Sequence, residues 1–249
     1  MPIDAKDRLI FALDVPTVEA AKQWVEKLDG VVSFFKIGLE LYVRAGVSLV
    51  PDLLQSRKKV FLDLKYYDIP ETVKGAVKCV AELGVSFLTV HGDTKILKAA
   101  VEGRGNSPLK LLAVTVLTSL DNDDLKDLGY DCAVQDLVLL RARKALETGC
   151  DGVISSPQEA GKIRSMIGKE AGAAGDEFLI VTPGIRPQDS TRQDHKRSST
   201  PALAIQSGAD FLVVGRPIRE ATNPRQTAQA IIREMQAAFD GRMARTNAS

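Results

Sequence analysis

Hydrophobic residues along this chain fall into eight short segments separated by longer amphipathic stretches. The segments are rich in β-branched and aromatic residues and comprise residues 9–13, 33–37, 60–64, 87–90, 111–117, 152–154, 178–181 and 211–214. The stretches between them carry apolar residues at helical spacing, for example at Val18, Ala21 and Val25. The pattern therefore predicts eight successive units of a strand followed by a helix.

Nearly continuous apolar strands that alternate with helices are typical of a parallel sheet buried on both faces. Eight such units favour a closed (β/α)8 TIM barrel of the α/β class over an open doubly wound sheet. The length of 249 residues suits one such barrel, which takes about 250 residues. Because no linker or break in composition divides the chain, we expect a single domain over residues 1–249, with a flexible tail at residues 241–249.

Composition narrows the classes of partner. The net charge of +1 gives no overall attraction to nucleic acid or acidic membranes, so any anion site must be local. No apolar run approaches the roughly 20 residues that cross a bilayer, and the N-terminus lacks the apolar stretch of a signal peptide. Cys79, Cys132 and Cys150 have no CxxC spacing and suit buried packing in a reducing compartment. We expect a cytoplasmic protein that binds neither nucleic acid nor membrane.

Charged residues lie within and just after the third apolar segment, where residues 61–70 read FLDLKYYDIP. Strand alternation places Asp63 and Lys65 on one face, pointing into the mouth of a barrel, and Lys36 from the preceding strand can lie beside them. An ion-pair cluster that closes the barrel is one explanation. Desolvating each ion costs several kcal/mol, however, so such a cluster stabilises poorly. A functional site is the better explanation.

Two glycine-arginine turns follow the seventh and eighth segments, at residues 182–186 and 213–218. Barrel enzymes commonly bind phosphate with these two loops. Glycine allows the backbone N–H to approach the anion, and Arg186 and Arg216 supply charge-assisted donors. Residues 187–201 lack large apolar side chains, so they form either a surface loop or a lid that a ligand orders.

The sequence Asp63-x-Lys65-x-x-Asp68-Ile69-Pro70-x-Thr72 resembles the signature of the orotidine 5'-phosphate decarboxylases. Six more segments match that family in order: Ala12-Leu13-Asp14, Phe35-Lys36-Ile37-Gly38, Val90-His91, residues 113–119, residues 182–186 and Val214-Gly215-Arg216. The resemblance covers residues 9 to about 222. It implies an enzyme that converts orotidine 5'-phosphate to UMP and CO2, the last step of de novo pyrimidine biosynthesis. It also implies a homodimer with shared active sites and no metal or other cofactor.

The resemblance further implies a role for each matching residue. Asp14 and Lys36 would bind the ribose hydroxyls, Asp63 would lie beside the substrate carboxylate, and Lys65 would donate the proton. Asp68 and Thr72 would reach the active site of the other subunit, Thr118 would lie by the pyrimidine, and Arg186, Gly215 and Arg216 would hold the phosphate. The family usually has a glutamine in the seventh loop, where alignment places His195, with Gln193 two residues away. His91 is expected to be a structural hydrogen-bonding residue.

The chemistry agrees with this interpretation. Loss of CO2 from C6 leaves a carbanion with no adjacent electron sink, and the chain carries no nucleotide, flavin or pyridoxal motif that would supply one. Preorganised charges would then stabilise the carbanion. One alternative is a magnesium-dependent sugar-phosphate decarboxylase or synthase of the same superfamily, although Ile69-Pro70-x-Thr72 and Thr118-Ser119 argue against it. A non-catalytic nucleotide-binding barrel is the other, and the intact Asp63, Lys65 and Asp68 weigh against that.

Overall fold

Eight parallel strands form a closed barrel in the computed structural model, which describes residues 4–186 and 199–246. They are β1 Leu9–Ala12, β2 Phe34–Gly38, β3 Lys59–Tyr66, β4 Phe87–His91, β5 Lys110–Val114, β6 Gly152–Ile154, β7 Leu179–Thr182 and β8 Phe211–Val214. Each strand pairs with its neighbour in sequence, and β8 pairs with β1. The predicted (β/α)8 barrel is confirmed, although β5 ends three residues before its predicted boundary.

Helices connect the strands and surround the barrel. They are α1 Val18–Lys27, α2 Leu39–Ala45, α3 Leu49–Gln55, α4 Pro70–Leu83, α5 Thr94–Arg104, α6 Asn122–Asp127, α7 Val134–Thr148, α8 Pro157–Ala171, α9 Pro201–Gln206, α10 Arg216–Arg219 and α11 Pro224–Thr246. Short 3-10 helices cover Ala5–Asp7 and Gly172–Glu177. Side chains of Thr17, Asp93 and Ser156 accept backbone N–H groups where α1, α5 and α8 begin. No helix in the described ranges is long and apolar enough to cross a bilayer.

The strands carry apolar side chains on both faces, as a barrel between helices requires. Residues on one face, such as Phe11 and Leu62, pack against the helices. Residues on the other face fill the interior, where Phe34, Phe87 and Phe211 stack edge to face with ring centroids 5.0–6.1 Å apart. This aromatic layer fills the centre of the barrel, so only the ends of the strands are open to polar groups.

Charged residues cover the end of the barrel where the strands begin. Asp151 precedes β6 and accepts the Leu111 N–H at 2.9 Å, and it pairs with Arg104 and Lys110. Asp210 precedes β8, accepts the Ile180 N–H at 2.8 Å and pairs with Arg164 and Arg242. These carboxylates therefore tie the start of one strand to the strand beside it.

The final helix is longer than the sequence analysis expected. Residues 241–246, which were assigned to a tail, are helical, and residues 247–249 lie outside the described part of the chain. The Arg242 guanidinium holds this turn to the barrel because it donates to the Ala209 carbonyl at 3.0 Å and pairs with Asp210 at 3.1 Å. The helix therefore extends six residues into the segment that the sequence analysis assigned to a tail.

The three cysteines are free thiols. Cys150 is buried, and burial raises the pKa of its thiol to about 12. Cys79 and Cys132 are exposed, so the expectation of buried packing was right for Cys150 and wrong for the other two.

Candidate active site

Lysines and aspartates alternate across the mouth of the barrel. The Lys36 ammonium nitrogen lies 2.9 Å from Asp14 Oδ1 and 3.6 Å from Asp63 Oδ2. The Lys65 ammonium nitrogen lies 2.8 Å from Asp63 Oδ1. The structure thus brings together four residues from the ends of β1, β2 and β3 into one chain of opposite charges, which we call the charged network (Asp14, Lys36, Asp63 and Lys65).

The pairing of the strands and the absence of a side chain at Gly38 together make the charged network possible. In the ladder between β1 and β2, Ala12 pairs with Lys36, and between β2 and β3, Gly38 pairs with Asp63. A Cβ atom at Gly38 would lie 3.2 Å from both Asp14 Oδ1 and the Lys36 ammonium nitrogen. Glycine at this position therefore leaves the space in which the ion pair forms.

Burial and charge act on Asp63 in opposite directions. Only 10% of the Lys36 side chain and 17% of the Asp63 side chain are exposed. Burial raises the pKa of Asp63, but attraction to Lys36 and Lys65 and hydrogen bonds from Lys65 and Thr89 outweigh burial and hold the pKa below its ordinary value. Asp63 is therefore ionised at neutral pH and keeps a fixed negative charge beside the lysines.

The backbone at Lys65 departs from the regular strand that the sequence analysis assumed. Pairing between β3 and β4 shifts between Leu62 and Tyr66, and Lys65 has φ of +49°. This left-handed conformation costs about 1–2 kcal/mol for a residue with a Cβ. The Lys65 N–H donates to Thr89 Oγ1 at 2.9 Å. A bulge thus replaces simple alternation at the residue whose ammonium enters the charged network.

An open cavity of about 260 Å³ adjoins the charged network. Its walls include Asp14, Lys36, Asp63, Gly184, Arg186, Gly215, Arg216 and Arg219. A Cβ at Gly215 would lie 3.3 Å from the Ala12 Cβ, so glycine permits the close approach of β8 and β1 here. The three arginines follow β7 and β8 in the chain, and their guanidinium groups suit an anionic ligand.

Two residues of the site escaped the sequence analysis. Thr89 lies in the apolar strand β4, and its hydroxyl bonds to both Asp63 and Lys65. The sequence did contain one indication: Thr89 is polar and follows the inward-facing Phe87 by two residues, so both side chains point into the barrel. Arg219 lines the cavity and donates to the Asp14 carbonyl at 2.6 Å. It lies on the exposed short helix α10, where an arginine is unremarkable in sequence.

The remaining predicted site residues lie apart from the charged network or outside the described residues. Asp68 is exposed in the turn after β3, where its carboxylate accepts the Ile69 N–H at 2.6 Å, and Thr72 is exposed in the first turn of α4. Thr118 is partly buried in a turn after β5. His195 and Gln193 fall among residues 187–198, outside the described ranges.

His91 packs against an aromatic ring beside the mouth of the barrel. Its ring lies 4.4 Å from that of Tyr67, and its buried Nδ1 atom has no hydrogen-bond partner among the described residues. Burial and the nearby Arg141 guanidinium lower the pKa of His91, more than Asp93 raises it, so the ring is neutral at neutral pH. The expected structural hydrogen bond is not found at Nδ1 among the described residues. In the described ranges no three His, Cys, Asp or Glu side chains meet in an arrangement that could hold a metal ion.

The closed barrel and its charged mouth define a (β/α)8-barrel enzyme. Residues 7–231 match the model of the orotidine 5'-phosphate decarboxylase / HUMPS family, and the chain belongs to that family. The orotidine 5'-phosphate decarboxylase of Nitrobacter winogradskyi is 52% identical over 93% of each chain. That of Methylococcus capsulatus is 50% identical over 95% of this chain and 96% of the relative. The crystal structure of orotidine 5'-phosphate decarboxylase from Lactobacillus acidophilus matches with a TM-score of 0.79 at 38% identity, covering 92% of this chain and 99% of that one.

Proposed function

We propose that this chain is an orotidine 5'-phosphate decarboxylase, which releases CO2 from C6 of its substrate to form UMP, the last step of de novo UMP biosynthesis. The observation that carries the proposal is that Asp14, Lys36 and Asp63 of the charged network line one cavity with the arginines after β7 and β8. The Lys65 ammonium joins this arrangement through Asp63. The names of relatives about half identical over most of the chain support it. We infer a cytoplasmic enzyme without a nucleic-acid partner, which the net charge of +1 supports.

Lys65 is the proton donor in this proposal. As the bond between C6 and the carboxylate breaks, its electron pair stays on C6 and CO2 leaves. The Lys65 ammonium stabilises that charge and transfers one proton to C6, and solvent then reprotonates the amine. Among the described residues the Lys65 ammonium bonds to Asp63 alone, so two of its N–H groups remain available to substrate.

Asp63 has two effects on the same reaction. Its carboxylate fixes the Lys65 ammonium at 2.8 Å, and its negative charge lies where it repels the carboxylate of the bound substrate. Loss of CO2 removes one of the two facing charges, so repulsion is weaker in the transition state than in the ground state. Lys36 keeps Asp63 ionised because it lies 3.6 Å from the other carboxylate oxygen.

The rest of the cavity binds the nucleotide. Asp14 and Lys36 bind the ribose hydroxyls, and Arg186, the Gly215 backbone and Arg216 hold the phosphate. Thr118, in the turn after β5, is assigned to the pyrimidine by the family resemblance. Binding energy from the phosphate, which does not react, aligns the ring over Lys65. His195 takes the place of the usual glutamine in this scheme, with Gln193 as the alternative.

We also propose a homodimer in which Asp68 and Thr72 complete the partner's active site. Both are exposed, and the Asp68 carboxylate accepts the Ile69 N–H of its own turn at 2.6 Å. Apolar side chains next to Asp68 in the chain are exposed as well: Tyr67 by 64% and Ile69 by 67%. An apolar surface beside two polar candidates supports an interface there.

Subunit mixing tests the shared site. Lys65→Ala and Asp68→Ala proteins are each expected to be inactive, and equal amounts are mixed until subunits exchange. About half of the dimers are then mixed, and each has one site with both residues intact, so about a quarter of wild-type activity returns. A mixture that stays inactive after mass spectrometry confirms exchange would rule out the shared site.

The activity itself is tested with purified protein and orotidine 5'-phosphate. Loss of substrate absorbance should proceed without added metal and should be unchanged by EDTA. Inactivity toward this substrate would reject the proposal. Activity that EDTA abolishes would instead support a metal-dependent reaction.

A further inference from the structure

Thr89 lies at the boundary between the apolar interior and the mouth of the barrel. It is fully buried, and it follows the inward-facing Phe87 by two residues on β4. Its hydroxyl donates to Asp63 Oδ1 at 3.0 Å and accepts the Lys65 N–H at 2.9 Å. The Thr89 hydroxyl therefore contacts both the Asp63 carboxylate, which bonds to the Lys65 ammonium, and the backbone of Lys65 itself.

Each bond has a defined direction. An ionised carboxylate only accepts and a backbone N–H only donates, so the single hydroxyl proton must go to Asp63 while the oxygen receives the Lys65 N–H. The shift in pairing between Leu62 and Tyr66 puts Lys65 out of the regular ladder with β4, and the Thr89 side chain receives the N–H instead. The hydroxyl thus supports the left-handed backbone of Lys65 and orients Asp63 at once.

We propose that Thr89 is a positioning residue, which holds the Asp63 carboxylate and the Lys65 backbone in the relative arrangement that decarboxylation requires. Thr89 is fully buried, so it acts on the reaction through Asp63, which lines the cavity, and through Lys65. The inference rests on the proposed roles of Asp63 and Lys65. It predicts that the hydroxyl matters for turnover and the methyl group does not.

Two substitutions separate the hydroxyl from the shape of the side chain. Thr89→Val keeps the branched shape and removes both hydrogen bonds, and we expect kcat to fall about ten- to a hundredfold. Affinity for UMP should stay within about threefold, because the nucleotide-binding groups are untouched. Thr89→Ser keeps the hydroxyl and should retain kcat within about threefold. Loss of a donor to Asp63 should also move the acid limb of kcat to higher pH in Thr89→Val.

Thr115→Val is the matched control. Thr115 is another fully buried threonine, and its hydroxyl donates to the Ile154 carbonyl at 2.9 Å, away from the charged network. This variant should lose thermal stability and keep kcat within about twofold. A purely structural role for Thr89 predicts that Thr89→Val behaves in the same way.

Three results would overturn the inference: wild-type kcat in Thr89→Val, an equal loss in Thr89→Ser, or a matching loss in the control. If Thr89→Val does not fold, Thr89→Cys replaces it, since a thiol is a weak donor of similar size. A folded Thr89→Cys enzyme with wild-type kcat would then reject the role. Wild-type protein without activity, or an active Lys65→Ala, would instead reject the proposed function on which the inference rests.

Discussion

The two ends of the barrel both carry buried carboxylates between cations, yet they are built differently. At the end where strands begin, the Arg164 guanidinium also donates to the carbonyls of Phe178 at 2.9 Å and Gly208 at 3.1 Å, while Asp210 accepts a strand N–H. In the charged network at the mouth, the cations are lysines. Every partner that the Asp63 carboxylate has among the described residues is a side chain.

This difference separates a stabilising cluster from a reactive one. Arginine's planar fork bonds several fixed acceptors at once, so backbone groups hold both Asp210 and Arg164 in place. Lysine is a point charge with three donors, so Lys65 can hold Asp63 and still present protons to a ligand. The functional end of the barrel is therefore the one where charged groups still have N–H donors available to a ligand. Burial of charge alone does not distinguish the two ends.

Lys65→Ala should produce the largest effect. Without the proton donor we expect kcat to fall by about a thousandfold or more, since a positioned general acid contributes roughly 10²–10⁴ and the charge at C6 is also lost. Thermal unfolding should change little, because Lys65 holds a strained backbone and a partly exposed side chain. Near-wild-type kcat in steady-state assays would refute its role as donor.

Asp210→Ala should show the opposite behaviour. Removing one partner of a buried ion cluster leaves Arg164 and Arg242 uncompensated, which typically costs about 3–5 kcal/mol. Urea unfolding measures the loss, and kcat at a temperature where the variant is folded should equal that of the wild type. A stable Asp210→Ala protein with impaired kcat would contradict the assignment of stability to one end of the barrel and catalysis to the other.

Arg216→Ala should weaken ligand binding rather than folding. A charge-assisted hydrogen bond to phosphate contributes about 1.5–3 kcal/mol, which corresponds to a roughly 10- to 150-fold loss of affinity for UMP. Affinity for uridine, which lacks the phosphate, should be unchanged. Calorimetry with both ligands decides the matter, and equal losses would show that Arg216 does not contact phosphate.

The smallest effect concerns pH. Burial raises the pKa of Asp63, but Lys36 and Lys65 outweigh burial and hold the pKa of the folded protein below its ordinary value of about 4. The ionised carboxylate therefore stabilises the fold above that ordinary pKa, and this stabilisation is lost as pH falls through the folded pKa. The difference in unfolding free energy between wild type and Asp63→Asn should therefore shrink in acid. It should be constant between pH 6 and about 7, and a change in that window would point to another titrating group.

Much of this architecture could be predicted from local pattern. The eight apolar segments overlap the eight strands, and alternation about Phe61 predicts the inward direction of Asp63. Such features depend on neighbours within a few residues, where periodicity and burial act together. Helix α11 shows the limit, because its last turn is anchored by Arg242 to Asp210, 32 residues earlier.

The sequence by itself therefore determined the barrel and the kinds of charge at its mouth, since these follow from strand period, apolar content and residue type. Tertiary structure alone decided that Thr89 lies against Asp63, that Arg219 reaches the Asp14 carbonyl and that Lys65 adopts a left-handed backbone. The reason is register: a contact between strands or across the closed barrel depends on how separate segments align to within one residue. Local sequence does not encode that alignment, and packing of the whole barrel sets it.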